Sequence, residues 1–347
     1  MSKKLKVFHG IINYGTQAGL FSAALRKRGI DSFSLGWPDP FKRQIDFELL
    51  HGGNLIEKSL RHFVNILLKI KCFISYNTFH FYYGKTLFDS KIDLRFYKFF
   101  GKKVVMEYLG NDIHLHTVLI ERYQLPKSHD FNLRPLENDK ETKERYEFEK
   151  KFIDKILVCS PCYAEFADDA ETLTLAIEVE KYPIQELTIP DKIVIMHAPT
   201  DRVFKGSQII EGAIAKLQNE GYPIEYNMVQ GVTHAQLIEQ YKKAHIFIDQ
   251  ISTGWYGTAS IEAMALGIPT MVFYDPLYSK YIDYFDEIAA INITEKTIYS
   301  ELKKLLDNKQ DLPFLSKKMR AFVEKHHNVD NITNRLIEIY QGLHDSK

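Results

Sequence analysis

Two basic side chains, Arg202 and Lys205, stand three residues apart in the stretch APTDRVFKGSQIIEGAIAKL, directly before a glycine and a run of apolar residues at helical spacing. A guanidinium and an ammonium in one loop can hold a phosphate through charge-assisted hydrogen bonds. The same doublet also fits an ordinary helix start with solvated charges. It indicates an anion site only if other groups converge on it.

A second stretch with such groups is STGWYGTASIEAMALG, in which Gly254 and Gly257 would let the backbone approach a ligand closely. The N–H groups of Thr258, Ala259 and Ser260, which open the following helix, are a natural seat for a phosphate. Glu262 lies about one helical turn further on, where its carboxylate can bind sugar hydroxyls. Taken alone, the stretch also fits an ordinary amphipathic helix. Together with the basic doublet it predicts a clamp for a diphosphate that needs no metal.

Short apolar runs alternate with segments of helical periodicity, which predicts an α/β protein with parallel sheets covered by helices. The predicted strands are at residues 5–9, 79–82, 104–108, 156–159, 193–197, 225–229, 246–249 and 270–273. Doubly wound sheets bind ligands beyond the carboxyl ends of their strands. Both candidate stretches follow predicted strands, so we expect them to face a cleft between two domains.

The length and composition set the organisation of the chain. Its 347 residues exceed what one hydrophobic core usually covers, and a polar stretch with two prolines at 182–192 separates the halves. We expect domains at 1–186 and 187–347, the second including a terminal helix at 331–343. Lys plus Arg and Asp plus Glu both number 45, and this balance argues against a nucleic-acid partner.

Targeting signals are not apparent in the sequence. The N-terminal stretch MSKKLKVFHG is too short and too charged for a signal peptide, and no apolar run reaches the ~18–20 residues of a membrane span. We therefore expect a cytoplasmic protein. CSPC at 159–162 is a single C-x-x-C pair, compatible with redox chemistry or with two buried thiols. The charge-dense stretch at 136–155 predicts an exposed helix with mutual ion pairs.

The stretch LIEKSLRHFVNILLKIKCFISY at 55–76 mixes apolar residues with Lys58, Arg61, Lys69 and Lys71. One interpretation is a helix at a membrane surface, placed to meet a lipid-linked acceptor. The other is a core helix whose lysines extend to solvent.

Three segments carry a resemblance to a known family: HAPTDRVFKGSQIIEGAIAKL, EYNMVQGVTHAQLIEQYKKAHIFIDQ and GWYGTASIEAMALGIPTMVF. In order and spacing over residues 197–273 they resemble the donor domain of the family-4 retaining glycosyltransferases. The resemblance implies the GT-B fold, in which two Rossmann-like domains face each other across a cleft and the C-terminal helix packs back toward the N-terminal domain. It further implies a nucleotide-sugar donor, with UDP as the expected nucleotide, and neither a cofactor nor a metal.

The resemblance also implies roles for single residues. Arg202 and Lys205 would hold the diphosphate and stabilise the leaving group. The backbone around Val232 would receive the base, and Glu262 would hold the ribose hydroxyls.

The expected sugar side of the site departs from the family. The backbone of Gly257, Thr258 and Ala259 would face the distal phosphate and the sugar. The family has Glu, seven residues and Glu, of which the first Glu contacts the donor sugar; counting back from Glu262, that place holds Gly254. The identity of the donor sugar therefore does not carry over.

The N-terminal half resembles these enzymes more loosely. FHGIINYGTQAGLFSAALRKRGIDS is similar to their first strand, glycine loop and helix, where the loop lines the cleft near donor and acceptor and Gly15 would bind the donor. Relatives often have His-Gly-Ser-Asp where this chain has Leu-Gly-Asn-Asp ending at Asp112, so the Asp is retained and the His is not. Asp112 joins Arg202 and Lys205 as an expected catalytic residue, although Asn-Asp is also ordinary turn chemistry. His80, in the predicted strand at 79–82, either serves as a polar group of the acceptor side or is a half-buried structural histidine.

The resemblance thus implies metal-independent transfer of a sugar, with retention, to a hydroxyl of a glycan or of a lipid-linked acceptor, as in cell-surface polysaccharide biosynthesis. Two alternatives stay open. One is a catalytically silent GT-B subunit that binds a partner or a glycan, which the departures at Gly254 and at the lost His allow. The other is a nucleotide-sugar epimerase, which needs acid and base carboxylates that the sequence does not identify.

Overall fold

The computed structural model describes residues 4–38, 43–124 and 139–345, which fall into two compact units, each with a parallel sheet. The first unit comprises Met1–Leu115, Glu137–Ala176 and Val329–Lys347, and the second comprises His116–Leu136 and Ile177–Asn328. The chain first enters the second unit at His116 and is back in the first unit where the description resumes at Asp139; it enters the second unit again at Ile177 and returns at Val329. This division differs from the expected single boundary after residue 186.

The sheet of the first unit has seven parallel strands among the described residues, in the order β3-β2-β1-β4-β5-β6-β7. These are β1 (Lys6–Ile11), β2 (Asp31–Gly36), β3 (Phe47–Glu48), β4 (Thr78–Tyr82), β5 (Lys103–Tyr108), β6 (Lys155–Val158) and β7 (Glu171–Thr172), with helices α1 (Gln17–Lys27), α2 (Leu55–Ser75), α3 (Asp93–Phe99), α5 (Asp139–Glu149), α6 (Pro161–Ala164) and α12 (Val329–Asp345). The central strands read as continuous apolar runs because helices cover both of their faces.

The C-terminal helix α12 belongs to the first unit, as expected from the GT-B resemblance. Leu336 and Tyr340 of α12 share a hydrophobic cluster with Phe21 of α1 and Val7 of β1. The expected second domain had included this helix, and its packing instead makes it part of the core of the first unit.

In the described part of the second unit the sheet has five parallel strands, in the order β12-β11-β10-β8-β9. These are β8 (Ile193–His197), β9 (Ile224–Met228), β10 (Ile246–Ile248), β11 (Thr270–Val272) and β12 (Ile291–Asn292), with helices α4 (His116–Tyr123), α7 (Ser207–Asn219), α8 (His234–Tyr241), α9 (Thr258–Ala265), α10 (Ile298–Asp307) and α11 (Leu312–His326). Helix α4 comes from the N-terminal half of the sequence, yet it is part of this unit.

Each predicted strand lies within two residues of an observed one. Sequence reasoning missed β2, β3, β7 and β12, three of which have only two residues each. Such short strands carry too little periodicity to be recognised.

Two helices differ from expectation in what they bury. Helix α2 buries only Asn65 and Cys72, so the core-helix interpretation of 55–76 is wrong. Helix α5 was expected to be exposed, yet it buries Tyr146 and Glu149; residues 136–138 of that stretch lie outside the described part. The carboxylate of Glu149 pairs with the Lys91 ammonium and accepts a hydrogen bond from Tyr108 at 2.6 Å, which explains why it is inside.

The C-x-x-C cysteines are free and buried. Cys159 directly follows β6, and burial raises the pKa of the Cys162 thiol, as in the interpretation of two structural thiols at a strand end. No helix in the described ranges is both long and apolar enough to cross a membrane.

Candidate functional site

Lys205 lies in the loop that follows β8, where its ammonium meets a buried carboxylate. Its Nζ is 2.6 Å from Asp249 Oδ1, and Ser260 Oγ donates to Asp249 Oδ2 at 2.6 Å. Strands β8 and β10 are neighbours in the sheet, so the loop after β8 and Asp249 after β10 come together at their carboxyl ends. Burial raises the pKa of Asp249, but Lys205 and Ser260 outweigh it and hold this pKa below its ordinary value. Lys205 and the first turn of α9 therefore form one cluster.

His197, the last residue of β8, contacts the first residue of α7 and holds the start of that helix in place. Its Nδ1 lies 2.8 Å from the Ile248 carbonyl and its Nε2 lies 2.7 Å from Ser207 Oγ. Gly206 has φ +70°, and a Cβ there would collide with Ile251 and Ser252. Glycine is therefore required at this point for the Lys205 loop to pack against the loop after β10.

Arg202 does not join Lys205. Its guanidinium makes a two-point contact with Glu211 of α7, at 2.9 and 2.8 Å, on the exposed side of the unit. The structure thus does not bring the basic doublet together on one group. An exposed ion pair is worth only about 0–1 kcal/mol, so an anion could draw Arg202 away from Glu211 at small cost.

The first turn of α9 has the features of an anion seat. Its N-cap is Gly257, no side chain caps the helix, and a Cβ at Gly257 would meet open space. Gly257, Thr258 and Ala259 are only partly buried. N–H groups left without a cap at a helix start attract anions.

Gln250 holds the loop before α9 in place. Its Oε1 accepts from the N–H groups of Ser252 and Thr253, both at 2.7 Å, and its Nε2 donates to the carbonyls of Trp255 and Phe273. One buried amide thereby satisfies four backbone groups and fixes the approach to the helix start.

Glu262 is buried and carries two neighbours that sequence reasoning missed. Tyr182 donates to Glu262 Oε1 at 2.9 Å, and His234 Nε2 lies 2.8 Å from the same oxygen. His234 opens α8, two residues after the exposed Val232. His234 thus connects Glu262, the residue expected at the ribose, with the Val232 loop, which was expected at the base. In the sequence, the position of His234 directly after the helix cap Thr233 was the feature that could have identified it.

Gly254 is the residue that the resemblance aligned with a Glu, and the structure gives a reason for glycine here. Its φ is +69°, and a Cβ would collide with the hydroxyl of Tyr123 from α4. That hydroxyl lies 2.8 Å from Tyr278 Oη and 3.4 Å from Asp275 Oδ2, while Arg122 donates to the Tyr278 hydroxyl at 3.0 Å. A polar cluster on α4 and the loop after β11 therefore fills the space beside Gly254.

In the first unit, Gly15 and Asp112 both follow strands of the sheet. Gly15 has φ +51° in the turn between β1 and α1. The Asp112 carboxylate accepts from its own turn, at 3.0 Å from Leu109 N and 2.7 Å from Gly110 N. Burial raises the pKa of Asp112 to about 7 despite these bonds. Its visible role is to shape the turn, as the turn-chemistry alternative describes.

His80 is fully buried beside Glu107 on the neighbouring strand. Its Nδ1 lies 2.6 Å from the Tyr340 hydroxyl and its Nε2 lies 3.2 Å from Glu107 Oε2. Burial lowers the pKa of His80 to about 3 and raises that of Glu107 to about 8. Both groups are then neutral near pH 6, and a protonated Glu107 can donate to His80 Nε2. His80 is therefore a structural residue of the sheet core.

Nothing in the described residues groups three or more His, Cys, Asp or Glu side chains in a way that could hold a metal ion. The candidate site in the second unit has three parts: Lys205 with Asp249, the start of α9, and Glu262 with His234.

Two units with parallel, Rossmann-like sheets, the first of which also includes the C-terminal helix α12, define the GT-B architecture. No protein-family profile and no curated protein sequence matches the chain.

Solved structures match along almost the whole chain. Sucrose-phosphate synthase from Thermosynechococcus elongatus has a TM-score of 0.66 at 15% identity, covering 99% of this chain and 100% of that one. HepE from Anabaena in complex with UDP has a TM-score of 0.61 at 12% identity, with 97% and 99% covered; it has also been solved with UDP-glucose. A putative UDP-N-acetylglucosamine 2-epimerase from Listeria monocytogenes has a TM-score of 0.55 at 13% identity, with 99% and 98% covered. At these identities the similarity establishes the fold.

Proposed function

We propose that the protein is a metal-independent glycosyltransferase that moves a sugar from a nucleotide-diphosphate donor, UDP-linked in the first instance, to an acceptor hydroxyl with retention. The observation that carries the proposal is the cluster of Lys205, Asp249 and Ser260 beneath the uncapped start of α9. It places a fixed cation and free helix N–H groups side by side, which is what a diphosphate requires.

The pairing of Lys205 with Asp249 is compatible with phosphate binding. An ammonium has three N–H donors, and Asp249 takes one of them. The carboxylate holds the side chain in one position, so little rotamer entropy is lost when a phosphate arrives. Lys205 can then donate to the distal phosphate from a preorganised position.

The proposed chemical step is the one that the resemblance to retaining glycosyltransferases implies. The bond between the sugar C1 and the distal phosphate oxygen breaks, a bond from C1 to the acceptor oxygen forms on the same face, and the acceptor proton passes to the departing phosphate. Negative charge grows on that phosphate, where Lys205 and the N–H groups from Thr258 to Ser260 stabilise it without reorganising. Arg202 contributes once it leaves Glu211.

The nucleoside is proposed to lie between the Val232 loop and Glu262. Glu262 accepts the ribose hydroxyls, and His234 keeps its carboxylate in position. UDP is the nucleotide proposed because the similar HepE structure contains it. Gly15 remains proposed as a donor-binding residue and Asp112 as a catalytic one, and the acceptor would be a glycan or a lipid-linked molecule at the cytoplasmic face of a membrane.

The first test is calorimetric titration of the protein with UDP, GDP and ADP in buffer that contains EDTA. We expect tight binding of UDP without metal, and a loss of about tenfold or more for Lys205→Ala, because a charge-assisted hydrogen bond is worth about 1.5–3 kcal/mol. Lys242→Ala, which removes an exposed lysine paired with Glu239 on α8, is the matched control. Absence of binding to all three nucleotides would sink the donor site.

The epimerase is the second candidate, because a putative epimerase shares the fold over nearly the whole chain. It would turn over a nucleotide-sugar without any acceptor, and NMR of UDP-N-acetylglucosamine incubated with the protein would show the epimer. The silent subunit would bind UDP but transfer no sugar to any acceptor.

A further inference from the structure

A helix that covers a sheet normally turns its apolar face toward the sheet, but the apolar face of α2 is exposed. Its buried side chains, Asn65 and Cys72, are seven residues apart and lie on one face. The opposite face carries a stripe of large apolar side chains at spacings of four and three residues. This apolar stripe consists of Ile56, Leu60, Phe63, Leu67, Ile70 and Ile74, all of them exposed.

The exposure of the apolar stripe is large and built into the helix. Leu60, Phe63 and Ile74 expose 63%, 58% and 72% of their surface. Asn54 and Glu57 form a capping box that stabilises the first turn of the helix. The apolar residues of the first turns are therefore exposed on a regular helix and not on a frayed end. Monomeric soluble proteins rarely display so much contiguous apolar surface without a partner.

More exposed apolar side chains lie on the next helix, which meets α2 at Phe73, a partly buried residue beside the apolar stripe. Phe73 of α2 packs its ring against Phe100, with ring centres 5.7 Å apart, and Phe100 packs against Phe99 at 5.1 Å. Phe99 is 81% exposed, and Phe96 on the same helix, α3, is also exposed. The two helices together form one outward surface rather than two separate spots.

Basic side chains border this surface. On α2 the basic neighbour of the apolar stripe is Lys71, about 60° from its centre by the helical period, whereas Lys58 and Arg61 are on the side of Asn65 and Cys72. The single acid on this helix, Glu57, is committed to the capping box. Beside α3, a hollow of about 270 Å³ is lined by Lys98, Lys102, Lys103 and Lys151, together with Asp154.

We propose that α2 and α3 form a docking surface for an anionic membrane, on which α2 lies in the plane of the interface. The charges select this occupant, because two copies of the chain would bring like-charged borders together, whereas anionic headgroups neutralise them. A helix with an apolar face and a basic border, not apolar enough along its whole circumference to cross a bilayer, binds at the interface in this way.

The direction in which α2 crosses the sheet shows which end of the helix lies near the carboxyl ends of the strands. The helix begins after β3 and ends before β4, so Leu55 lies toward the carboxyl ends of the strands and Ser75 toward their amino ends. The N-terminal part of α2 is thus on the edge of the sheet where Gly15 and Asp112 lie. This surface stands independently of the proposed glycosyl transfer.

The experiment is co-sedimentation of the full-length protein with vesicles of phosphatidylcholine, alone or with about one third phosphatidylglycerol. We expect binding to the anionic vesicles that weakens as salt is added. Phe63→Ser should weaken it about tenfold, because a large apolar side chain no longer enters the interface. Lys71→Glu should weaken binding to the anionic vesicles about fivefold or more.

Phe314→Ser is the matched control, since Phe314 lies on α11 of the second unit and is 70% exposed. Leu60→Ser and Ile74→Ser repeat the comparison, and circular dichroism verifies the fold of each variant. The proposal fails if the wild type does not bind anionic vesicles, or if Phe63→Ser and Phe314→Ser bind equally well. It also fails if the apolar stripe instead proves to hold a dimer, seen in sedimentation as a dimer that Phe63→Ser dissociates while vesicle binding is unchanged. The same variants are also titrated with UDP, and we expect their affinity for UDP to equal that of the wild type. This measurement distinguishes a failure of the membrane-docking proposal from a failure of the proposed donor site.

Discussion

The Lys205 ammonium lies 2.6 Å from the Asp249 carboxylate, whose side chain is fully withdrawn from solvent. The pair joins the loop after β8 to the end of β10, and Ser260 extends it into α9. The cation proposed to meet the donor phosphate is therefore also the partner of a buried charge. Its two roles can be separated by substitution.

Lys205→Ala should lower the free energy of unfolding by about 3 kcal/mol, because it leaves Asp249 buried without its cation. In the double variant Lys205→Met with Asp249→Asn, both charges are removed, and we expect most of that stability to return. UDP binding should remain weak in both variants. Urea unfolding and calorimetry measure the two effects; recovery of UDP binding in the double variant would show that Lys205 acts only through the fold.

Glu262→Gln should weaken the binding of uridine as well as UDP by about tenfold, because an amide accepts ribose hydroxyls less strongly than a carboxylate does. His234→Ala should weaken both to a smaller extent, since the carboxylate loses the imidazole that positions it. The affinities are read by calorimetric titration, with Glu239→Gln on the exposed side of α8 as the control. An unchanged affinity for uridine in Glu262→Gln would remove this residue from the ribose site.

Gly254→Ala should destabilise the protein by more than about 1 kcal/mol, because a side chain is strained at φ +69° and its Cβ meets the Tyr123 hydroxyl. In the background of Tyr123→Ala the steric part of this loss should disappear and the backbone strain should remain. A double-mutant cycle from urea unfolding measures the coupling between the two positions. Additive losses would mean that α4 does not pack on the loop as described.

The pair of Glu107 and His80 predicts a characteristic pH dependence of stability. The pKa of Glu107 rises from 4.5 to about 8 on folding because of burial, so the unfolded chain loses this proton first and stability falls as the pH rises from 4.5 to 8. The pKa of His80 falls from 6.5 to about 3, also through burial, so stability falls as the pH drops below 6.5. The two slopes cancel between pH 4.5 and 6.5.

Glu107→Gln should remove the upper arm of this dependence. Denaturation in urea at pH 6.5 and pH 8 should then show a smaller loss of stability for the variant than for the wild type. Equal losses in both proteins would mean that Glu107 is ionised in the folded state.

Several features of the site could be predicted from the sequence because they are local. Gly257 before a helix of small residues indicates an open helix start, and Glu262 follows one turn later by the period of the helix. Lys205 and Gly206 stand between a strand and a helix in a way that places them at the carboxyl edge of a parallel sheet. The partners of these residues are distant in sequence, so Asp249, Tyr182 and Tyr123 could not be assigned to them.

The sequence by itself determined the alternation of strands and helices, and with it two parallel sheets and the glycine loops at their carboxyl ends. Only the tertiary structure decided which way the helices face and which unit they join. Periodicity shows that Ile56, Leu60 and Phe63 share a face of α2, but it does not show that the face points away from the sheet. The physical reason is that a period of 3.6 residues fixes neighbours along one helix, whereas the choice of buried face depends on contacts with strands far away in the chain.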